Sequence, residues 1–240
     1  MGIVKVSVFQ KSLTEGLNLN AIKKLAALKS DFLVLPDFFF ADEKIKNFSA
    51  IEDKSQFALD WLLKLNDAYK GIIIGGTMIH READKKYIAT PIIHNGEVVD
   101  WYRKRRLNKE ESPYVTSGEE PGVYILGGQR FSILLCDDIY EKEYFAELAK
   151  MGIRMVFILT RSEKKEESVE DKHIRDERLF CSPARDYGMV ITKCSPTGIF
   201  FGRHLQGRSL VVTPSGISWR VSPGEERQEV LKTVMINMKN

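Results

Sequence analysis

Two hydrophobic patterns alternate along the chain. Short, unbroken apolar runs at residues 32–36, 131–136 and 155–159 are flanked by polar or acidic residues, the pattern of strands buried on both faces. Longer stretches place apolar residues three and four positions apart, the spacing of one helix face. Ile22, Leu25, Ala26 and Leu28 do so within residues 20–29, and Phe57, Trp61, Leu62 and Leu65 within 56–69. Residues 144–151 read as a third helix, and the charged stretch 161–178 leads into a fourth that reaches Tyr187. Strands are predicted at 3–9, 71–78, 87–94, 97–103, 189–194 and 209–213. Asn95-Gly96 forms a hairpin turn between two of them, and Pro214-Ser215-Gly216 turns the chain after the last. Each half therefore runs strand, helix, strand, helix, then consecutive strands. That order predicts an α/β fold of two similar layered halves, sheets packed together and helices outside.

With 240 residues and no stretch rich in Pro, Gly or Ser to divide them, the reading is one domain over 1–240. Apolar residues make up 43% and charged residues 29%, the balance of a globular protein. Lys and Arg number 36 against 33 Asp and Glu, so no basic surplus points to nucleic acid. Charges of alternating sign make 161–178 a solvated face rather than a binding patch. The apolar runs are far shorter than a bilayer span, and the opening Met1-Gly2-Ile3-Val4 leads into a strand pattern, so neither membrane insertion nor a signal peptide is expected. Three scattered cysteines, Cys136, Cys181 and Cys194, suit a reducing, cytoplasmic setting. His80, His94, His173 and His204 lack metal-ligand spacing, so no zinc is expected.

Three strand ends carry reactive side chains, and strand C-termini are where α/β sites collect. Cys136 ends the run 131–136 and precedes a predicted helix, a turn that exposes a side chain and aims backbone N–H groups at its target. By itself it also reads as a small buried hydrophobe. Asp37 follows Pro36 beside Phe38, Phe39 and Phe40, where an apolar setting would favour general-base behaviour, although a helix cap is the simpler reading. Arg103-Lys104-Arg105-Arg106 ends another strand, whose alternation lets one or two of the four cations point inward.

In this order and spacing, Leu35-Pro36-Asp37, the Asn95-Gly96 hairpin followed by Tyr102-Arg103-Lys104-Arg105-Arg106-Leu107, and Cys136-Asp137-Asp138 resemble the Glu–Lys–Cys motifs of the nitrilase superfamily, the carbon–nitrogen hydrolases. Gly75-Gly76-Thr77, Glu143, Leu148-Ala149-Lys150-Met151-Gly152, Gly207-Arg208-Ser209 and Pro214-Ser215-Gly216 extend the likeness over roughly residues 3–220. The resemblance implies a four-layer α-β-β-α sandwich, a homodimer or larger assembly, and a small-molecule amide, carbamoyl or nitrile substrate with no cofactor. It makes Cys136 the nucleophile. Lys104, together with the backbone N–H of Asp137, would be the oxyanion stabiliser, Asp37 the base, and Glu111 (Glu110 close behind) the second glutamate. Arg161 falls where the family places substrate-facing residues and hints at a substrate carboxylate; Phe38 is a candidate pocket wall. Two positions depart from the family. Asp37 stands where it has Glu, which withdraws the carboxylate by ~1.5 Å, about one C–C bond. Asp137 replaces an aromatic residue and would raise the thiol pKa unless a cation such as Arg105 or Arg106 neutralises it. A module that binds a metabolite or partner through the same pocket is the alternative to an enzyme.

Overall fold

The computed structural model describes residues 2–17 and 19–238. The first half comprises β1 (Ile3–Gln10), α1 (Leu19–Ala26), β2 (Phe32–Val34), α2 (Phe48–Ala68), β3 (Ile72–Ile74), β4 (Met78–Glu82), β5 (Lys85–His94) and β6 (Glu97–Arg103). The second begins with β7 (Val123–Leu126), β8 (Gln129–Leu135), α3 (Lys142–Lys150), β9 (Met155–Leu159), α4 (Val169–Asp176) and α5 (Ser182–Tyr187). It ends with β10 (Val190–Cys194), β11 (Gly198–Phe200), β12 (Arg203–Leu205), β13 (Leu210–Thr213), β14 (Gly216–Arg220) and β15 (Val230–Asn237). A single turn of π-helix, Glu177–Cys181, joins α4 to α5.

One sheet runs β15-β1-β2-β3-β5-β4 with β6 also paired to β5; the other runs β14-β13-β10-β9-β8-β7. In each, three parallel strands form the centre (β1, β2, β3 and β8, β9, β10) and antiparallel strands flank it. The inner faces meet around Phe32, Phe131 and Phe157, whose ring centroids lie 4.9–5.6 Å apart. The outer face of the first sheet packs on α1 and α2, that of the second on α3 and α5, giving the four-layer sandwich.

Three local differences from the sequence reading have physical causes. Residues 71–78 break into β3 and β4 at Gly75-Gly76. Gly76 has φ +70°, and a Cβ there would sit 2.5 Å from the Phe39 ring and 2.6 Å from the Pro36 carbonyl, an approach that only glycine allows. Helix α2 starts at Phe48, earlier than its apolar stripe suggests, because the Asn47 side chain accepts from Ala50 N at 2.9 Å and caps it. Finally, β15 pairs with β1 along its whole length, from Ile3–Asn237 to Gln10–Val230. Its exposed positions hide a strand that carries one face at the sheet edge.

One core residue is unexpected. On β10, Val190 and Cys194 face the other sheet while Ile191 faces the helices. Lys193 shares the helix side and lies 4.9 Å from the Phe180 ring centroid. Burial outweighs the field of Asp176 and lowers its pKa from 10.5 to about 8. Because the folded value lies below the unfolded one, the fold disfavours the charged lysine fully below about pH 8, and the penalty is relieved as pH rises toward 10.5. Asp176 is already paired with Arg208, so removing the lysine leaves no bare charge. Lys193→Met is therefore expected to unfold with on the order of 2 kcal/mol more free energy than the parent at neutral pH. The advantage should shrink as pH rises through that window. Equal urea midpoints at neutral pH would contradict this.

Candidate active site

Four strand ends converge. Thr77, just past the Gly75-Gly76 break, donates its hydroxyl to Asp37 Oδ1 at 2.5 Å and accepts from Phe38 N at 2.9 Å. The Gly-Gly-Thr sequence thereby fixes the acidic turn after β2, in which Phe38 adopts φ +46°. Asp37 is fully buried.

At the end of β6, Tyr102 and Lys104 turn inward, whereas the other cations stay near the surface. Lys104 Nζ lies 2.5 Å from Glu111 Oε2 and 2.6 Å from Asp137 Oδ2. Glu111 is held by a turn in which the Asn108 side chain accepts from Glu111 N at 3.1 Å, while Asn108 N donates back to Glu111 Oε2 at 3.1 Å. Of the two candidate glutamates, Glu111 thus reaches the lysine, while Glu110 is exposed and pairs with Arg203. Desolvation pulls the Lys104 pKa down, but Cys136, Glu111 and Asp137 together outweigh it and raise it above the ordinary lysine value. Arg105 and Arg106 do not neutralise Asp137. They pair with Glu147 and Glu141, and Lys104 takes that role.

Cys136 opens a turn of 3₁₀-helix after β8 with φ +44°, a left-handed elbow that a side chain enters only when its surroundings enforce it. Asp138 does the enforcing. Its carboxylate accepts from Leu135 N at 2.9 Å, Arg106 N at 2.7 Å and the Tyr102 hydroxyl at 2.9 Å, which ties the cysteine elbow to the lysine strand. Burial raises the Asp138 pKa, against the pull of the backbone hydrogen bonds. The sequence reading quoted Asp138 only as the third letter of a motif; its partners Tyr102 and Arg106 lie more than 30 residues away and have no local signal.

The Cys136 sulfur faces a cavity of about 430 Å³. Burial is the largest influence on its thiol and pushes the pKa up; Asp37 adds to this, while Arg161 and Lys104 oppose it. Burial thus favours the neutral thiol. The cavity wall includes Asn108, Asp137, Tyr140, Thr160, Arg161 and Phe200.

Two expected substrate contacts are displaced. Phe38 is fully buried in the helix–sheet layer with Phe39. Phe200, stacked on it at 5.2 Å, meets the cavity instead. Arg161 does reach the cavity, but its guanidinium is already spent on the protein's own carboxylates. It donates to Asp37 and lies 3.4 Å from Glu111. That leaves little of it for a substrate carboxylate. The short hairpin β11–β12, which carries Phe200 and ends at Leu205, had no counterpart in the sequence reading. Its signal was an aromatic pair, Phe200-Phe201, between Gly198 and Gly202.

Among the described residues, no group of three or more His, Cys, Asp or Glu side chains could hold a metal, and no helix is long and apolar enough to cross a membrane.

The chain is 25% identical over 191 residues to a 2-oxoglutaramate amidase of Bacillus subtilis (strain 168), covering 78% of this chain and 71% of the amidase. In structure it is similar to the Nesterenkonia AN1 amidase from the nitrilase superfamily. There the TM-score is 0.82 at 20% identity, over 98% of this chain and 91% of that one. It is also similar to the glutamine-dependent NAD+ synthetase from Acinetobacter baumannii, with TM-score 0.83 and 17% identity, where it covers 99% of its own length and 46% of the synthetase. The carbon-nitrogen hydrolase profile matches residues 9–237, and the chain belongs to that family.

Proposed function

We propose that this protein hydrolyses a primary amide of a small molecule through a thioester on Cys136. The observation that carries the reading is the convergence of Asp37, Lys104 and Glu111 around Cys136, the residue of the four that lines the cavity.

The chemistry follows from the positions. Asp37, held by Thr77, takes the thiol proton as sulfur attacks the carbonyl carbon. A neutral resting thiol makes this transfer part of the attack rather than a prior equilibrium. Lys104 and the Asp137 N–H stabilise the oxyanion. That N–H belongs to the first turn of the short helix that begins at the left-handed Cys136 elbow. Glu111 fixes the ammonium in place. The proton on Asp37 then leaves with ammonia, and the same carboxylate activates the water that cleaves the thioester. Carbamoyl and nitrile carbons suit the same machinery; the amide is preferred because the Bacillus subtilis relative above is an amidase.

Selective alkylation tests the reading. Cys194 is sealed between the sheets with its sulfur 3.4 Å from the Phe9 carbonyl, and Cys181 is buried away from the cavity wall. Only Cys136 combines a cavity wall with neighbouring cations and an acid. Iodoacetamide is expected to label Cys136 at least about tenfold faster than either other cysteine, read by peptide mass. Equal labelling of the three would favour a binding module over an enzyme.

A further inference from the structure

The roles above leave the charged group nearest the sulfur, Arg161, without a task. Arg161 follows β9 and its side chain is 18% exposed. Its Nη1 donates to Asp37 Oδ2 and lies 3.7 Å from Cys136 Sγ, while Nη2 reaches Glu111 Oε1 at 3.4 Å. The rings of Phe38 and Phe200 hold the guanidinium carbon at 5.4 and 5.0 Å.

We propose that Arg161 is a catalytic residue, the cation that stays with the negative charge as it passes between Asp37 and the Cys136 sulfur. The proposal rests on the hydrolase reading and adds to it a second positive charge, one whose Nη1 lies 3.7 Å from the sulfur.

The argument is one of charge and reach. Around the sulfur stand Asp37 from the end of β2, Lys104 from β6 and Glu111 from the turn beyond it. Asp137 and Tyr140 come from the elbow, and Arg161 from β9. Lys104 is a compact charge, engaged at 2.5 and 2.6 Å by two carboxylates. Asp137 thus consumes cationic field that the sulfur would otherwise receive, and Arg161 supplies it again. With the thiol neutral, two cations face the three carboxylates of Asp37, Glu111 and Asp137. Once the proton has moved from Sγ to Asp37, the same cations face two carboxylates and a thiolate. Total charge is unchanged. The negative charge has moved only from Oδ2 to Sγ, and one nitrogen, Nη1, is within reach of both. What the guanidinium loses at the acid it regains at the sulfur, so the transfer is spared most of the Coulomb cost of leaving an ion pair. The sulfur's new electron pair then forms the S–C bond while the carbonyl π pair moves to oxygen. Collapse of that oxyanion breaks the C–N bond, and the leaving nitrogen takes the proton from Asp37. A planar fork of donors can serve two acceptors in this way, and a lysine ammonium at the same place would serve them less well.

The test is the pH dependence of Cys136 alkylation by iodoacetamide in the full chain. This reagent is uncharged, so a mere carboxylate anchor would not affect it. Arg161→Gln is expected to slow labelling of Cys136 about tenfold or more near neutral pH and to move the midpoint of the profile upward. It should also lower kcat on the order of 100-fold with little change in KM. Arg161→Lys should recover part of both. A profile for Arg161→Gln that superposes on the parent's, or a turnover loss confined to KM, overturns the proposal. Should Arg161→Gln fail to fold, Arg161→Lys decides: a midpoint above the parent's supports the proposal, and an identical one overturns it. Failure of the hydrolase reading looks different, because it shows in the parent protein as Cys136 reacting no faster than Cys181 and Cys194.

Discussion

Cys136→Ala is expected to lose amide hydrolysis by at least ~10⁴-fold while unfolding within about 1 kcal/mol of the parent. Without sulfur there is no thioester, and the remaining oxyanion donors have only water to offer the carbonyl. The fold does not depend on the thiol. The elbow is held by Asp138 through Leu135 N, Arg106 N and Tyr102, and none of these bonds involves the Cys136 side chain. Alanine keeps a Cβ at the same left-handed backbone and vacates only the sulfur's volume on a cavity wall. Ammonia release from a panel of primary amides, with a urea melt of the same preparation, checks both halves. Undiminished turnover in this variant would exclude covalent catalysis at Cys136.

The second large effect concerns Lys104, where stability and activity are coupled. Its side chain is fully buried between Glu111, also buried, and the partly exposed Asp137. Removing one partner of a buried ion pair strands the other, at a cost of about 3–5 kcal/mol. Lys104→Met should therefore lower the melting temperature by roughly 10 °C, given about 2–4 °C per kcal/mol in a domain of this size. It should also abolish turnover. Neutralising the stranded acids separates the two consequences. Lys104→Met with Glu111→Gln and Asp137→Asn is expected to regain most of the stability and none of the activity. If that triple variant hydrolyses amide normally, Lys104 is structural and the oxyanion is held elsewhere.

Asp137 and Asp37 are linked through the cations around the sulfur. Asp137 looked like an obstacle because a carboxylate beside the thiol opposes ionisation. Its negative charge is met by Lys104, and a further cation, Arg161, stands at the sulfur. The shortened acid at position 37 accepts from that same arginine.

What sequence by itself determined was whatever one strand or helix can encode. The continuous apolar runs ending at Pro36 and Leu159 marked central parallel strands, because such strands are covered on both faces. The helical stripes marked the outer layers. Since sites gather at strand ends, Asp37, Cys136 and the cationic run 103–106 stood out as reactive tips, and the family resemblance singled out Lys104 and favoured Glu111, with Glu110 close behind, as the acid near it; Glu111 is the one that meets Lys104. Only the tertiary structure decided the partners. That Lys104 rather than Arg105 or Arg106 meets Asp137, that Asp138 ties the elbow to Arg106, and that Arg161 is taken up by Asp37 are contacts between segments 32 to 124 residues apart. Which aromatic ring reaches the cavity was settled in the same way, by a hairpin that slides Phe200 over Phe38. Short-range periodicity records which face a side chain turns inward, but Coulomb and hydrogen-bond partners are fixed by distances that exist only after the sheets have packed.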